Sequence, residues 1–332
     1  MLRDRQMIGR FAIFPNLILA LLAAGARAQQ PGPATAPVVN PSGVAAGTSS
    51  TPAAPTAPST ASGDVVLASA VSALGHYNSV SASVRQRIRL FGHDLFGSGQ
   101  YLQHGSGPKR RFRMEMTIQG KRQKTTATRI CDGRLLWLLD DQAGQPSLRV
   151  VDLRRVEDAL TQADQARAVE WRRFDLGFGG LPRLLAACEE NFQFGAAAPS
   201  QLNDVPVWIL RGHWKPARLN ALLATGNDQG NHSIPKLLPP QLPNEVVLYL
   251  GRDDLFPYCV EFRSVSERRD RQGIESHVLA GMDFFEVRVD APVDESQFTG
   301  PANMPQTDDT ESFLTRLGIP RTPSEIRAEK GK

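Results

Sequence analysis

The side chains that could do acid–base, nucleophilic or metal chemistry are scattered along this sequence. The histidines stand far apart, with no metal-ligand spacing between them: His76, His93, His104, His213, His232 and His277. The motifs typical of serine hydrolases, zinc proteases, paired-cysteine sites and phosphate-binding loops do not occur. We therefore predict that the protein is not an enzyme and that it holds no metal or other cofactor.

Three pairs and one glycine motif imitate a catalytic site at first sight. We interpret the His/Asp pair His93-Asp94 as a solvated turn. The two carboxylate pairs, Asp140-Asp141 and Asp253-Asp254, are interpreted as turns without a partner base. The segment Gly97-Ser98-Gly99 resembles a phosphate loop only superficially. Because it lies within a strand pattern, its glycines indicate a bulge or a close approach of two backbones.

The three cysteines, Cys131, Cys188 and Cys259, are an odd number and lie far apart. Their spacing fits no metal site. We favour small buried apolar side chains over a disulfide. If one pair is bonded, the sequence alone does not choose which.

The segment Lys109-Arg110-Arg111, with Arg113, is the sharpest charge feature of the chain. It is interpreted either as a solvated strand face or as a cationic rim that meets lipid head groups or an acidic partner. Phe112, Met114 and Met116 lie beside it. These side chains are core residues or, since methionine is flexible, the lining of a site for a variable apolar ligand.

Around these residues, residues 80–139 predict a series of antiparallel strands. Apolar side chains alternate with polar ones, which is typical of strands with one buried face; they are Val84, Ile88, Leu90, Phe112, Met114, Met116 and Ile118. Glycine and polar clusters between them indicate turns. Amphipathic helices are predicted at 153–163 and 181–192. The sequence thus predicts an α+β, mainly antiparallel fold: an open, strongly curved sheet, or unclosed β-barrel, with helices on the concave side.

The ends of the chain have a different composition. Residues 1–28 combine an arginine-rich start, an apolar run and a small-residue site, which predicts a cleaved signal peptide and a periplasmic location. Residues 29–63 are rich in Pro, Ala, Thr and Ser and are interpreted as a disordered tether. One domain is predicted at 64–300, with an insertion at about 215–244. Residues 301–332 are a polar tail in which Phe313, Leu314 and Leu317 form one docking turn of helix.

The net charge of the chain makes nucleic acid an improbable partner. Of 38 basic and 34 acidic residues, four arginines and one aspartate belong to the leader, so the exported part carries 34 and 33. A nucleic-acid-binding protein would have a basic surplus. We predict no nucleic-acid partner.

The order of several short motifs resembles a known family. A strand with Gln86 is followed by Gly97-x-Gly99 and by a basic strand entry before Phe112. Next come Asp132-Gly133 and Leu136-Trp137, and then a late strand ending near Phe298–Pro301. Over about residues 64–305 this resembles the LolA-like fold of periplasmic lipoprotein carriers, LolB and mycobacterial lipid-binding lipoproteins.

The resemblance implies an unclosed β-barrel whose concave face, covered by helices, holds acyl chains. In that family an arginine just before the Phe-bearing strand helps to control the closed lid. Here Lys109, Arg110 and Arg111 all precede Phe112. The tether and the insertion depart from the compact carriers, so the transport partners of the family do not simply carry over.

The leading hypothesis is an exported, non-enzymatic carrier or binder of lipoprotein acyl chains or free lipid, together with membrane-bound donor and acceptor proteins. A hydrophobic trough is predicted to be lined by Val84, Ile88, Leu90, Phe112, Met114, Met116 and Ile118. Its lid or rim is predicted to include Arg110, Arg111, Val156, Leu160, Leu184 and Leu185. The alternative is an envelope sensor or interaction module whose own helices fill the trough. A hydrolase would need a polar cluster there, which the sequence does not reveal.

Overall fold

A computed structural model describes residues 61–90, 93–119, 124–142, 144–162, 179–225, 242–270 and 273–316, and all structural statements below concern these residues. The predicted signal peptide, almost all of the predicted tether, residues 226–241 of the insertion, and Leu317 lie outside them.

The described part of the chain contains helices and one large sheet. The helices are α1 (Gly63–His76), α2 (Leu153–Gln162), α3 (Gly180–Asn191), α4 (Pro216–Thr225) and α5 (Thr310–Arg316). The first strands are β1 (Ser79–Leu90), β2 (His93–His104), β3 (Arg111–Gln119), β4 (Lys124–Cys131), β5 (Leu135–Gln142) and β6 (Gln145–Asp152). The later strands are β7 (Phe192–Phe194), β8 (Ala198–Leu202), β9 (Val205–Trp214), β10 (Glu245–Gly251), β11 (Pro257–Asp270), β12 (Gly273–Val289) and β13 (Gln306–Asp308). None of the described helices is long and apolar enough to cross a membrane.

The thirteen strands form one curved sheet in the order β13-β6-β5-β4-β3-β2-β1-β12-β11-β10-β9-β7, and β8 pairs with β9. Every pairing is antiparallel except that of β13 with β6. The two ends of this order, β13 and β7, do not pair with each other within the described residues, so the sheet is unclosed. The predicted fold class is confirmed.

Alternation along the strands gives the sheet an apolar inner face. In β3 the even-numbered side chains from Phe112 to Ile118 are buried, while Arg111 and Arg113 between them are partly exposed. Because successive side chains of a strand point to opposite faces, the even positions of β3 share one side. Helices α1, α2, α3 and α5 pack their apolar residues into the same core cluster and so cover this inner face.

The outer face of β4 to β6 carries a smaller apolar cluster of Ile130, Trp137 and Leu148. The segment from Glu295 to Arg316, called here the C-terminal strap, crosses this face. A Cβ added at Gly300 would lie 2.2 Å from the Trp137 ring, so the strap passes in close contact with the tryptophan.

The strap then turns around the edge of the sheet. Its strand β13 pairs in parallel with β6, and the Asp309 N–H donates to the Val150 carbonyl at 2.8 Å. Helix α5 follows and buries Phe313 and Leu314 in the main core. These are two of the three apolar residues of the predicted tail, and they form the docking turn that we predict there.

Candidate functional site

The predicted lining residues lie together on the inner face. Six of them are at most 7% exposed: Val84, Ile88, Phe112, Met114, Met116 and Ile118. The register places Gly99 between Val84 of β1 and Met116 of β3, so these strands present one continuous surface. Leu90 ends β1, and its side chain is not among those that the structure describes.

A shallow strip without side chains runs along this surface at β2. A Cβ at Gly99 would lie 1.7 Å from the Glu115 carbonyl oxygen, which no residue other than glycine can satisfy without shifting the strands. The Met116 Sδ lies 2.9 Å from the same position. The prediction of a close backbone approach in Gly97-Ser98-Gly99 is thereby confirmed. The flexible Met116 thioether lies over the strip.

The helices bring the predicted lid residues onto this surface. Val156 of α2 and Leu184 and Leu185 of α3 are fully buried in the same cluster as the lining residues. Leu160 lies in α2, with its side chain outside the description. In this structure the inner face beneath them is therefore closed to solvent.

A buried polar cluster that the sequence did not reveal lies at one end of this surface. The Tyr101 hydroxyl donates to Gln103 Oε1 at 2.8 Å and accepts from the Leu181 N–H at 3.1 Å. A Cβ at Gly180, where φ is +67°, would lie 2.4 Å from the Tyr101 oxygen, so only glycine allows α3 to begin there. Tyr101 and Gln103 have the same parity along β2 as Gly97 and Gly99, and this period of two was the signal that could have placed both side chains on the inner face.

Arg110 completes this cluster. It precedes Phe112 by two positions and is half-buried. Its positive charge opposes the rise in the pKa of Tyr101. Loss of hydration lowers the pKa of the Arg110 guanidinium. Burial raises the pKa of Tyr101 far above its ordinary value, so its hydroxyl stays protonated at neutral pH. A phenol held protonated donates hydrogen bonds but is not a base, and the described partners of Tyr101 include no histidine or carboxylate.

Arg111 points the other way and lies on the outer face. Its guanidinium pairs with Glu295 at 3.2 Å, donates to His104 Nδ1 at 3.0 Å and lies 5.8 Å from the centre of the Phe298 ring. The structure therefore separates the two arginines of the basic run. Arg110 belongs to the inner cluster, whereas Arg111 anchors the C-terminal strap.

The predicted turn at His93-Asp94 is wrong, although both residues are exposed as expected, and the predicted solvated turn at Asp140 is wrong as well. His93 and Asp94 begin β2, and Asp94 pairs with Arg89 at 3.1 Å. Asp140 lies within β5 on the inner face and is 6% exposed. The parity of Leu136, Leu138 and Asp140 along one strand was the signal that could have placed it.

Asp140 is the centre of a charged cluster at the β4–β6 end of the inner face. Its two carboxylate oxygens accept from Arg129 at 2.7 Å and from Arg149 at 2.8 Å. Arg149 also pairs with Asp309 of the strap at 3.1 Å. Because every charge of this cluster has an opposite partner, the cluster joins three strands and the strap into one unit.

The three cysteines are free and buried, in agreement with the interpretation as small apolar side chains. Burial raises the pKa of Cys131 to about 11 and raises those of Cys188 and Cys259 further. They are thus unreactive thiols at neutral pH. Among the described residues, no three His, Cys, Asp or Glu side chains lie together as a metal site requires.

Neither a protein-family model nor a curated protein matches this sequence. Among solved structures, MucB is 15% identical, with a TM-score of 0.36 over 72% of this chain and 63% of MucB. The lipoprotein LppX of Mycobacterium tuberculosis is 10% identical, with a TM-score of 0.36 over 70% of this chain and 97% of LppX. A putative outer membrane lipoprotein-sorting protein domain from Vibrio parahaemolyticus is 7% identical, with a TM-score of 0.27 over 71% and 95% of the two chains.

This chain thus spans less than two thirds of the length of MucB. The lipoprotein-sorting domain is the kind of protein that the sequence resemblance names.

Proposed function

We propose that the protein is an exported, non-enzymatic binder or carrier that holds acyl chains, from lipoproteins or free lipid, between its sheet and its helices. One observation carries this proposal: the apolar inner face of an unclosed sheet is covered by helices and not by a second sheet. Helices can move away from a sheet as separate units, whereas the strands of a second sheet are tied to one another. The trough that we predict is therefore a surface that a moving helix would open.

The side chains along this surface suit a variable apolar guest. Met114 and Met116 of β3 and Met282 of β12 all lie in the main core. Methionine has three rotatable bonds and a polarisable sulfur, so it adapts its shape to different neighbours. Gly97 and Gly99 of β2 have no side chains, so the inner face is shallow between these methionines. This combination supports the assignment of the predicted lining residues to an acyl-chain site.

The free energy of acyl burial would favour displacement of a helix. Burying an acyl chain contributes about 0.8 kcal/mol per CH₂, or roughly 12 kcal/mol for sixteen carbons before the costs of binding are subtracted. If neither helices nor lipid covered it, the apolar inner face would be a larger exposed patch than soluble monomers tolerate. The helices therefore cover the surface when no lipid does.

Helix α3 is the best candidate for the movable cover. Its Leu184 and Leu185 pack on the inner face, and its N-terminus lies at Tyr101, whose hydroxyl accepts a hydrogen bond from the Leu181 N–H. Val156 of α2 packs in the same cluster. A carrier of this kind would exchange its cargo with membrane-bound donor and acceptor proteins in the periplasm, and no nucleic acid enters its function.

The second candidate is an envelope sensor or interaction module whose helices fill the trough permanently. The observation that favours it is the burial of the lining residues beneath the protein's own helices, since Val84 is fully buried and Met116 is 2% exposed. In this case the inner face is an ordinary core, and partners bind elsewhere on the molecule.

Binding of fatty acids of increasing length distinguishes the two candidates. If the trough takes an acyl chain, the affinity measured by isothermal titration calorimetry rises at least about tenfold from laurate to palmitate, because each buried CH₂ contributes favourable free energy. Protein purified without detergent should also release lipid on organic extraction, detectable by mass spectrometry.

Equal affinity across the series, together with an extract free of lipid, would favour the permanently filled module. Octyl glucoside serves as the control for non-specific detergent binding, since a short chain with a bulky neutral head should not compete with palmitate.

A further inference from the structure

We propose that Tyr101, Gln103, Arg110 and the N-terminus of α3 form a site for the acidic head group, a carboxylate or a phosphate, of the bound acyl lipid. We call this group of residues the head-group site. The inference rests on the proposed function and adds to it the chemical class of the ligand.

Gln103 supplies the first observation. Its side chain is fully buried, and its Oε1 already accepts from the Tyr101 hydroxyl at 2.8 Å. Its Nε2 has no hydrogen-bond partner. Buried polar groups of folded proteins are nearly always paired, so an orphaned buried donor indicates a partner that arrives from outside the chain. That partner must be a hydrogen-bond acceptor.

Arg110 supplies the second observation. Its Nε is buried without a hydrogen-bond partner, and no described carboxylate forms an ion pair with it. Its neighbours behave differently, because Arg111 pairs with Glu295 and Arg113 pairs with Glu115 at 3.0 Å. A half-buried cation without an anion has lost hydration that nothing replaces. An anionic ligand would supply the counter-charge that Arg110 lacks among the described carboxylates.

Helix α3 supplies the third observation. It is twelve residues long, so its N-terminus carries the partial positive charge that favours anions. This end lies against the cluster, since the Leu181 N–H donates to Tyr101 and a Cβ at Gly180 would be 3.6 Å from Gln103 Oε1. The groups gathered here are donors with a positive charge. Carboxylates and phosphates accept hydrogen bonds and carry the opposite charge.

The position of the site also matches a lipid. In register, Gln103 lies beside Phe112, Tyr101 beside Met114, and Gly99 beside Met116. A head group at Gln103 therefore has an apolar path along β3 for its tail. A free anion would not need this path, and the two sources of the acidic group can be separated by experiment.

The test compares three ligands with the same chain, namely palmitate, hexadecyl phosphate and hexadecanol, by calorimetry on the purified protein. We expect the two acidic ligands to bind at least about tenfold more tightly than hexadecanol, which corresponds to about 1.4 kcal/mol. Arg110→Met and Gln103→Leu should reduce this preference to less than about threefold while the affinity for hexadecanol stays the same. Arg113→Met, on the outer face, should retain the full preference.

Circular dichroism of each variant shows whether it is folded, and the half-exposed Arg110 offers the variant with less risk to the core if Gln103→Leu fails to fold. Equal affinity of wild-type protein for all three ligands would overturn the head-group site and leave the proposed function standing. A preference that survives Arg110→Met would also overturn it. Failure to bind any of the three would count against the proposed function itself. Arg110-dependent binding of inorganic phosphate as tight as that of hexadecyl phosphate would overturn the assignment to lipid.

Discussion

The two sides of the inner face differ in how their polar groups are paired. On β4 to β6, both carboxylate oxygens of Asp140 have arginine partners, and Arg149 continues the chain of pairs to Asp309. On β1 to β3, buried polar atoms of Gln86 and Gln103 have no partner. One sheet thus carries a completed polar network on one side and an incomplete one on the other.

This difference indicates that the β4–β6 side supports the sheet and that the β1–β3 side holds the proposed binding site. A completed buried network holds its strands in one arrangement, whereas an incomplete one is costly unless something else supplies the missing partners. The C-terminal strap reinforces the β4–β6 side by covering Trp137 on the outer face and by placing α5 on the inner face. The β1–β3 side has instead the glycine strip, the methionines and the proposed head-group site.

Removal of Asp140 is the strongest way to break the supporting side. In Asp140→Ala, Arg129 and Arg149 lose their shared partner inside the protein, and breaking a buried ion pair costs about 3 to 5 kcal/mol. We expect the free energy of unfolding, measured with urea, to fall by about 3 kcal/mol or more.

The exposed Asp253 provides the control for Asp140→Ala, and Asp253→Ala should change the unfolding free energy by less than about 0.5 kcal/mol. A loss at Asp140 as small as the loss at Asp253 would mean that the network does not support the sheet.

A methyl group at Gly99 tests the other side with a smaller expected effect. Because the added Cβ would meet the Glu115 carbonyl oxygen, β2 and β3 must move apart, and we expect Gly99→Ala to cost about 1 to 3 kcal/mol. The matched control is Gly75→Ala in α1, where nothing lies within 4 Å of the new Cβ. That change should leave the protein equally stable or up to about 1 kcal/mol more stable. If thermal unfolding shows the two variants to be alike, the strip at β2 is not a close contact.

The sequence was sufficient for the architecture. Alternation from Val84 to Ile118 predicted which side chains face inward, and the turn signals between the strands predicted their antiparallel order. Both are local properties, because period-two alternation and turn residues depend on neighbours along the chain. The helical stripes that carry Val156, Leu184 and Leu185 were local in the same way.

The polar clusters could not be predicted in this way because they depend on pairing between distant segments. Asp140 meets Arg129 and Arg149 only through the register of three strands, and Arg149 meets Asp309 of the strap, which lies 160 positions further along the chain. Tyr101 likewise meets Leu181 only after α3 folds back over the sheet. Registry between strands is a three-dimensional property that no single strand encodes.

The attachment of α5 should depend weakly on pH. The Asp308 side chain accepts from the Thr310 N–H at 2.9 Å at the start of this helix; interaction with the Thr310 hydroxyl first, and then this backbone bond, lower the pKa of the Asp308 carboxyl, with Arg155 contributing less. Since the folded state holds the pKa below its unfolded value, the stabilisation is fully present above the unfolded pKa, near pH 4. It is lost as the pH falls through the lowered value.

The difference in unfolding free energy between wild-type protein and Asp308→Ala should therefore favour the wild type at pH 7 and shrink as the pH falls below about 4. Urea unfolding at a series of pH values and constant ionic strength measures it. Asp253→Ala again serves as the control. The expected effect is the smallest of those proposed because the Asp308 side chain is 68% exposed and solvent screens its charge. A difference that grows at acidic pH would have the wrong sign for a helix start held by an ionised carboxylate, and it would mean that the Asp308 carboxylate does not stabilise the attachment of α5.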